Sequence, residues 1–132
     1  MNNKQLAAHW EQSSDRDFVT VDILFENKQY PQSLFWGHLV LEKLLKAIYA
    51  KVNPQNPHAP KTHDLLFLAK RSGLEFSEEI VDKLENITDF NLSARYEDEK
   101  HIFYKQCTKE FTSEQIRIIK ELRQWLKKLI EA

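Results

Sequence analysis

Arg95 and His101 stand with five residues between them in the run Ala94-Arg95-Tyr96-Glu97-Asp98-Glu99-Lys100-His101. A guanidinium offers a fixed fork of donors that suits phosphate oxygens. An imidazole titrates near neutrality and can take or give a proton. Placed on one cleft, the two can cleave RNA without a metal. The imidazole activates the ribose 2′-hydroxyl, and the guanidinium stabilises charge on the phosphorane-like transition state. The simpler reading of the same residues pairs Arg95 with one of the acids beside it.

Other candidates are weaker. Lys43 and Lys46 are i,i+3 neighbours that can meet phosphate, or can lay their stems along the core edge. Tyr96 and Tyr104 can stack on a base or pack in a subunit contact. His58 and His63, with Asp64, offer only part of a tetrahedral metal shell, so Thr62 and Asp64 read better as helix caps. His38, four residues before Glu42, reads as a core-edge histidine bonded to that carboxylate. Cys107 has no base near it in sequence and reads as structural. Gly37 and Gly73 are the only glycines, which excludes a phosphate-binding or dinucleotide-binding loop. Neither a cofactor nor a metal is expected.

These residues need a scaffold, and the composition says which kind. Two glycines and four prolines in 132 residues are too few for the turns of a sheet-rich fold. A chain of this length buries roughly two-thirds of its unfolded surface in one domain, so residues 1–132 are expected to form a single unit. The balance of 19 basic and 20 acidic residues excludes a uniformly basic coat, while leaving room for a local patch. The lone cysteine excludes an internal disulfide framework and suits a reducing compartment. No apolar run resembles a signal peptide or membrane span, so a cytoplasmic protein with no membrane role is expected.

Apolar periodicity places a helix over about 5–27, broken or solvent-facing near Ser13-Ser14-Asp15, and a central helix over about 31–52. Three prolines make 53–60 a loop. A short helix through Leu65 and Ala69 ends at Gly73, and Ser77 starts another that reaches about Asn91. Residues 92–109 carry no clear stripe and read as a loop with one or two helical turns. Thr112-Ser113-Glu114-Gln115 reads as a capping box opening a last helix to about Ile130, with Ile119, Leu122, Leu126 and Leu129 inward. Its outer Arg117, Lys120, Arg123, Lys127 and Lys128 form either a solvated face paired with the acidic 75–99 stretch or a phosphate-facing patch. The expected fold is all-α: an antiparallel up-and-down bundle of four main helices plus a short one.

Three stretches resemble one family. Phe35-Trp36-Gly37-His38-Leu39-Val40-Leu41-Glu42-Lys43-Leu44-Leu45-Lys46-Ala47 resembles the second-helix signature of HEPN domains, an aromatic residue coupled to a Glu-Lys-x-Leu-Lys-Ala run. Thr62-His63-Asp64-Leu65 resembles their Thr-His-x-Leu element, Ala94-Arg95-Tyr96 their Ala-Arg-Tyr element, and Trp10 with Ser14-Asp15 fits the first helix. The elements come in family order over about residues 10–125.

The resemblance implies a helical homodimer that binds or cleaves RNA or nucleotides, often beside a minimal nucleotidyltransferase as its antitoxin. It makes Arg95 and His101 the catalytic pair of a metal-independent endoribonuclease, by their match to the family's Arg-x(4–6)-His motif. Two positions depart from the active pattern. Tyr96 stands where a small polar residue usually follows the arginine, and Phe103 stands where the antitoxin-modified tyrosine would be. The alternative is a noncatalytic nucleotide-binding or adaptor subunit that regulates a nucleotidyltransferase, with Phe103, Tyr104 and Phe111 as contacts. A small-ligand-binding bundle is a third reading.

Overall fold

The computed structural model describes residues 1–132 and is all-α. Its helices are α1 (Asn3–Glu26), α2 (Tyr30–Val52), α3 (Leu65–Arg71), α4 (Glu78–Arg95), α5 (Glu97–Gln106) and α6 (Lys109–Glu131). Four are long and two are short. None is long and apolar enough to cross a membrane.

The first two helices form a tight hairpin. The Asn2 side chain accepts from the Gln5 amide, and the Gln5 side chain accepts from the Asn2 amide, a capping box that starts α1. Asn27 and Lys28 end it, with Lys28 in the left-handed region at φ 62°. Pro31 then lies in the first turn of α2, where its missing amide costs nothing. Small hydroxyls let the helices approach: Ser14 donates to the Val40 carbonyl and Ser33 to the Val21 carbonyl, each over 2.8 Å. The Ser13-Ser14-Asp15 stretch therefore does not interrupt α1. Ser14 is buried against α2, and Asp15 faces the cations of α6.

Helix α2 is the centre of the bundle, with 14 of its 23 residues buried and with α1, α3, α4, α5 and α6 all against it. Gly37 brings α6 close, since a Cβ there would stand 2.7 Å from Ile119 Cδ1. At the other end of the 53–64 loop, the Asp64 side chain accepts from the Phe67 amide and caps α3, and Thr62 accepts from the Asp64 amide. Gly73, at φ 73°, turns the chain out of α3 in a conformation that side-chain-bearing residues rarely adopt.

Four sequence expectations change. Helix α4 runs one turn past Asn91, and residues 97–106 form a ten-residue helix in place of the expected loop with one or two helical turns. Glu97, Asp98 and Glu99 are its first turn, where acids suit the positive helix end. The last helix starts at Lys109 under a Thr108 cap, which leaves Thr112 one turn inside and buried. Its inward face carries Ile130, while Leu129 is exposed. Cys107 is buried beside this junction, and burial pushes its thiol up to about 11.

Candidate functional site

Helix α2 projects His38, Glu42 and Lys46 from its inner side, and the last turn of α4 brings Asn91 and Arg95 toward them. Between them lies His63, at the end of the proline-rich loop. Thr88 of α4 accepts from the Leu65 amide at 3.1 Å and donates to the Leu84 carbonyl, which ties the start of α3 to α4. His63 is thereby held at the junction of three elements.

Its ring is fixed from two directions. Nδ1 donates to Glu42 Oε1 over 2.7 Å, and Nε2 accepts from Arg95 Nη2 over 3.2 Å. The other Glu42 oxygen accepts from Lys46 at 3.0 Å, and that ammonium lies 5.2 Å from the centre of the Trp10 ring. A chain of polar contacts thus runs Lys46–Glu42–His63–Arg95, from a carboxylate whose side chain is 5% exposed to an imidazole that is 47% exposed. The carboxylate dictates the tautomer, leaving the Nε2 lone pair facing outward.

His38 supports this arrangement from beneath. It is fully buried, its Nε2 donates to the His63 carbonyl over 2.7 Å, and its Nδ1 accepts from Asn91 at 3.4 Å. Glu42 Oε1 is 3.9 Å from that Nδ1, so the expected pairing with Glu42 is secondary to the backbone bond. Burial holds the His38 pKa below its ordinary value, outweighing the His63 carbonyl and the Glu42 charge, which favour protonation. The ring is a neutral scaffold.

Beside Arg95 opens a cavity of about 240 Å³ walled by Phe35, Trp36, Ala94, Lys100 and Tyr104, with Gln32 donating to the Tyr104 hydroxyl over 2.6 Å. It holds two cations and no acid. The largest cavity, about 510 Å³ between α1 and α6, is lined by four acids (Asp22, Glu26, Glu114 and Glu121) and two bases (Arg117 and Lys120). An anion is favoured in the first and opposed in the second.

Arg95 and His101 do not line the same cavity. His101 is exposed on α5 in an adjoining hollow of about 210 Å³, and the two hollows share Lys100 and Tyr104. Tyr96 is the exposed hinge residue between α4 and α5 and lines neither. Lys43 pairs with Asp17 at 2.5 Å and with Ser13, and Lys46 with Glu42, so both are engaged by internal partners.

Four of the five outer α6 cations are occupied too, by α1 and by α6 itself and not by the acidic 75–99 stretch, while Lys128 is exposed and pairs with no acid. Lys120 meets Asp22, Arg123 meets Asp15, Lys127 meets Glu11 and Asp15, and Arg117 meets Glu114 and Glu121. Phe103 is buried on Phe90 and Phe111 is half-buried against the same ring, which removes two of the three aromatics from a docking role. His58 is exposed, and no group of three or more His, Cys, Asp or Glu is placed to hold a metal.

Reading the sequence missed His63 as a partner of Arg95, and missed Lys100 as a wall of the cavity. The signal for the first was present: Thr62-His63-Asp64-Leu65 and Ala94-Arg95-Tyr96 are two of the stretches that carry the family resemblance, and Glu42 lies in the third. In space the three converge on one hydrogen-bonded chain.

Comparison with known proteins gives one positive finding. Searches of curated proteins and of solved structures each returned no match. A family model described as HEPN domain matches residues 7–129, nearly the whole chain. With the helical fold and the three convergent stretches, this establishes that the chain belongs to the HEPN domain family.

Proposed function

We propose that this HEPN protein binds single-stranded RNA or a nucleotide through phosphate, at the cavity beside Arg95. Arg95 and Lys100 take the phosphate oxygens, and Trp36 and Tyr104 offer faces on which a base stacks. The observation that carries the reading is that this cavity has two cations, aromatic walls and no acid, while the larger cavity is dominated by carboxylates. Membership in a family of nucleotide- and RNA-related function supports it. The chain acts as a homodimer, in which two copies double the local positive potential, with a minimal nucleotidyltransferase as protein partner. In the hydrolytic form of this reading Arg95 clamps the phosphate and an imidazole moves the proton, His101 being the one the family motif nominates. Lys43, Lys46 and Tyr96 are secondary candidates, since internal pairs engage the lysines and Tyr96 lies outside the cavity.

Anisotropy of a fluorescent single-stranded RNA, with unlabelled ATP as competitor, tests the binding. Arg95→Gln should weaken binding by about tenfold or more, the loss of one charge-assisted contact. Arg117→Gln, in the acidic cavity, should change it less than about twofold. Equal affinity of wild type and Arg95→Gln would overturn the assignment.

A further inference from the structure

We infer that His63, seated on Glu42, is the general base of an RNA transesterification at the Arg95 cavity. The inference rests on the proposed phosphate-binding reading and adds the residue that moves the proton. A general base must be oriented, must carry an unprotonated ring nitrogen, and must stand within reach of the attacking oxygen while a cation holds the phosphate. His63 meets the first two through the 2.7 Å bond from its Nδ1 to Glu42, which leaves Nε2 unprotonated and outward. His63 is not itself a wall of that cavity, and it meets the third through Arg95, a wall residue whose Nη2 is 3.2 Å from that same Nε2. The 2′-hydroxyl and the adjacent phosphate are neighbouring groups of one nucleotide. An imidazole and a guanidinium in contact therefore match them as a pair.

When phosphate draws the guanidinium fork toward itself, Nε2 is released from Arg95 to accept from the 2′-hydroxyl. The 2′-oxygen gives its proton to Nε2 and attacks phosphorus, forming the O2′–P bond. The P–O5′ bond breaks, and the leaving O5′ takes a proton from water. The products are a 2′,3′-cyclic phosphate and a free 5′-hydroxyl, and the imidazolium returns its proton to the resulting hydroxide. No oxidant or reductant is involved. Glu42 is a positioning residue, holding the ring and balancing the imidazolium as it forms, in the manner of the carboxylate of a catalytic triad.

Two assays separate this inference from the binding reading. Binding is followed with 2′-O-methyl RNA, which cannot react, and cleavage with unmodified RNA in EDTA, scoring cyclic-phosphate ends. The expected result is that His63→Gln lowers the cleavage rate about 100-fold or more while 2′-O-methyl RNA binds within threefold of wild type, and that His58→Gln, in the exposed loop, keeps most of the rate. Added imidazole should restore part of the rate to His63→Ala.

If His101→Gln abolishes cleavage and His63→Gln does not, the inference is overturned and the binding reading stands. Binding of 2′-O-methyl RNA without cleavage of unmodified RNA overturns it in the same way. If wild type does not bind at all, the binding reading fails and this inference fails with it. Should both His63 variants fail to fold, wild type is probed by imidazole ¹⁵N spectra with the uridine–vanadate complex. A protonated His63 Nε2 supports the base, and an unchanged resonance overturns it.

Discussion

Replacing Glu42 with leucine removes a carboxylate that two side chains depend on. Lys46 Nζ at 3.0 Å and His63 Nδ1 at 2.7 Å both lose their acceptor. Breaking a buried ion pair from one side costs about 3–5 kcal/mol, because the partner charge is left desolvated. Here the Lys46 side chain is 13% exposed and keeps its contact with Trp10, so it retains a route to water. That moves the expectation to the lower end, about 3 kcal/mol. His63 adds little, since its ring is already close to half exposed.

In urea unfolding the expected loss appears as a midpoint lowered by about 1–2 M with an unchanged slope. Glu42→Gln should cost less, about 1–2 kcal/mol, because the amide oxygen still accepts from His63. The double variant Glu42→Leu/Lys46→Met, which removes both charges, should return to within about 1 kcal/mol of wild type. A single Glu42→Leu variant within about 0.5 kcal/mol of wild type would show that the carboxylate does not sustain Lys46, and so would a double variant no better than the single.

Three further outcomes follow from local features. The folded His38 pKa lies below its unfolded value of 6.5, so the folded state holds fewer protons there than the unfolded chain. Its contribution is complete above that pH and is lost as pH falls below it. Melting temperature should decline more steeply below pH 6.5 in wild type than in His38→Gln, and parallel curves would count against a buried neutral ring. Cys107, with its pKa raised to about 11, should react with iodoacetamide at pH 8 about 100-fold more slowly in the folded chain than in urea; equal rates would contradict its burial. Lys28→Gly should stabilise the α1–α2 hairpin by about 0.5–1 kcal/mol by relieving a left-handed residue, and a destabilised variant would show that the turn is not strained.

The long helices were legible because each buries a repeating stripe and is bounded by chemistry that stops or starts a helix. Pro31 opens α2, the three prolines after Asn53 end the helical stretch, and Ser77 with its acids opens α4. Helix α5 was not legible because Phe103 is its only buried residue, and a single residue has no period. Thr112 imitated a cap in sequence, yet Thr108 holds that role, because the chain bends at the buried Cys107. Ser14 looked like an interruption because a hydroxyl that donates to a neighbouring helix is indistinguishable in sequence from one that faces water.

The candidate site divides in the same way. Arg95 and Tyr104 were singled out in sequence and line the Arg95 cavity, whereas Lys43 and Lys46 proved to be committed to Asp17 and Glu42. In sequence His63 reads only as part of an incomplete metal shell and of the Thr-His-x-Leu element, because its partners Glu42 and Arg95 lie 21 and 32 residues away, a distance that only the packing of α2 against α4 closes.

Phosphate binding at Arg95 beside Trp36 underlies both functional proposals. Heteronuclear spectra of the ¹⁵N-labelled chain, titrated with ATP or a short single-stranded RNA, test it with least inference, because they report where the ligand touches. The Arg95 side-chain Nε–H and the Trp36 indole N–H should move together, with the Lys128 end of α6 unaffected. Movement confined to α6, or a spectrum that stays unchanged at millimolar ligand, would rule out phosphate binding there.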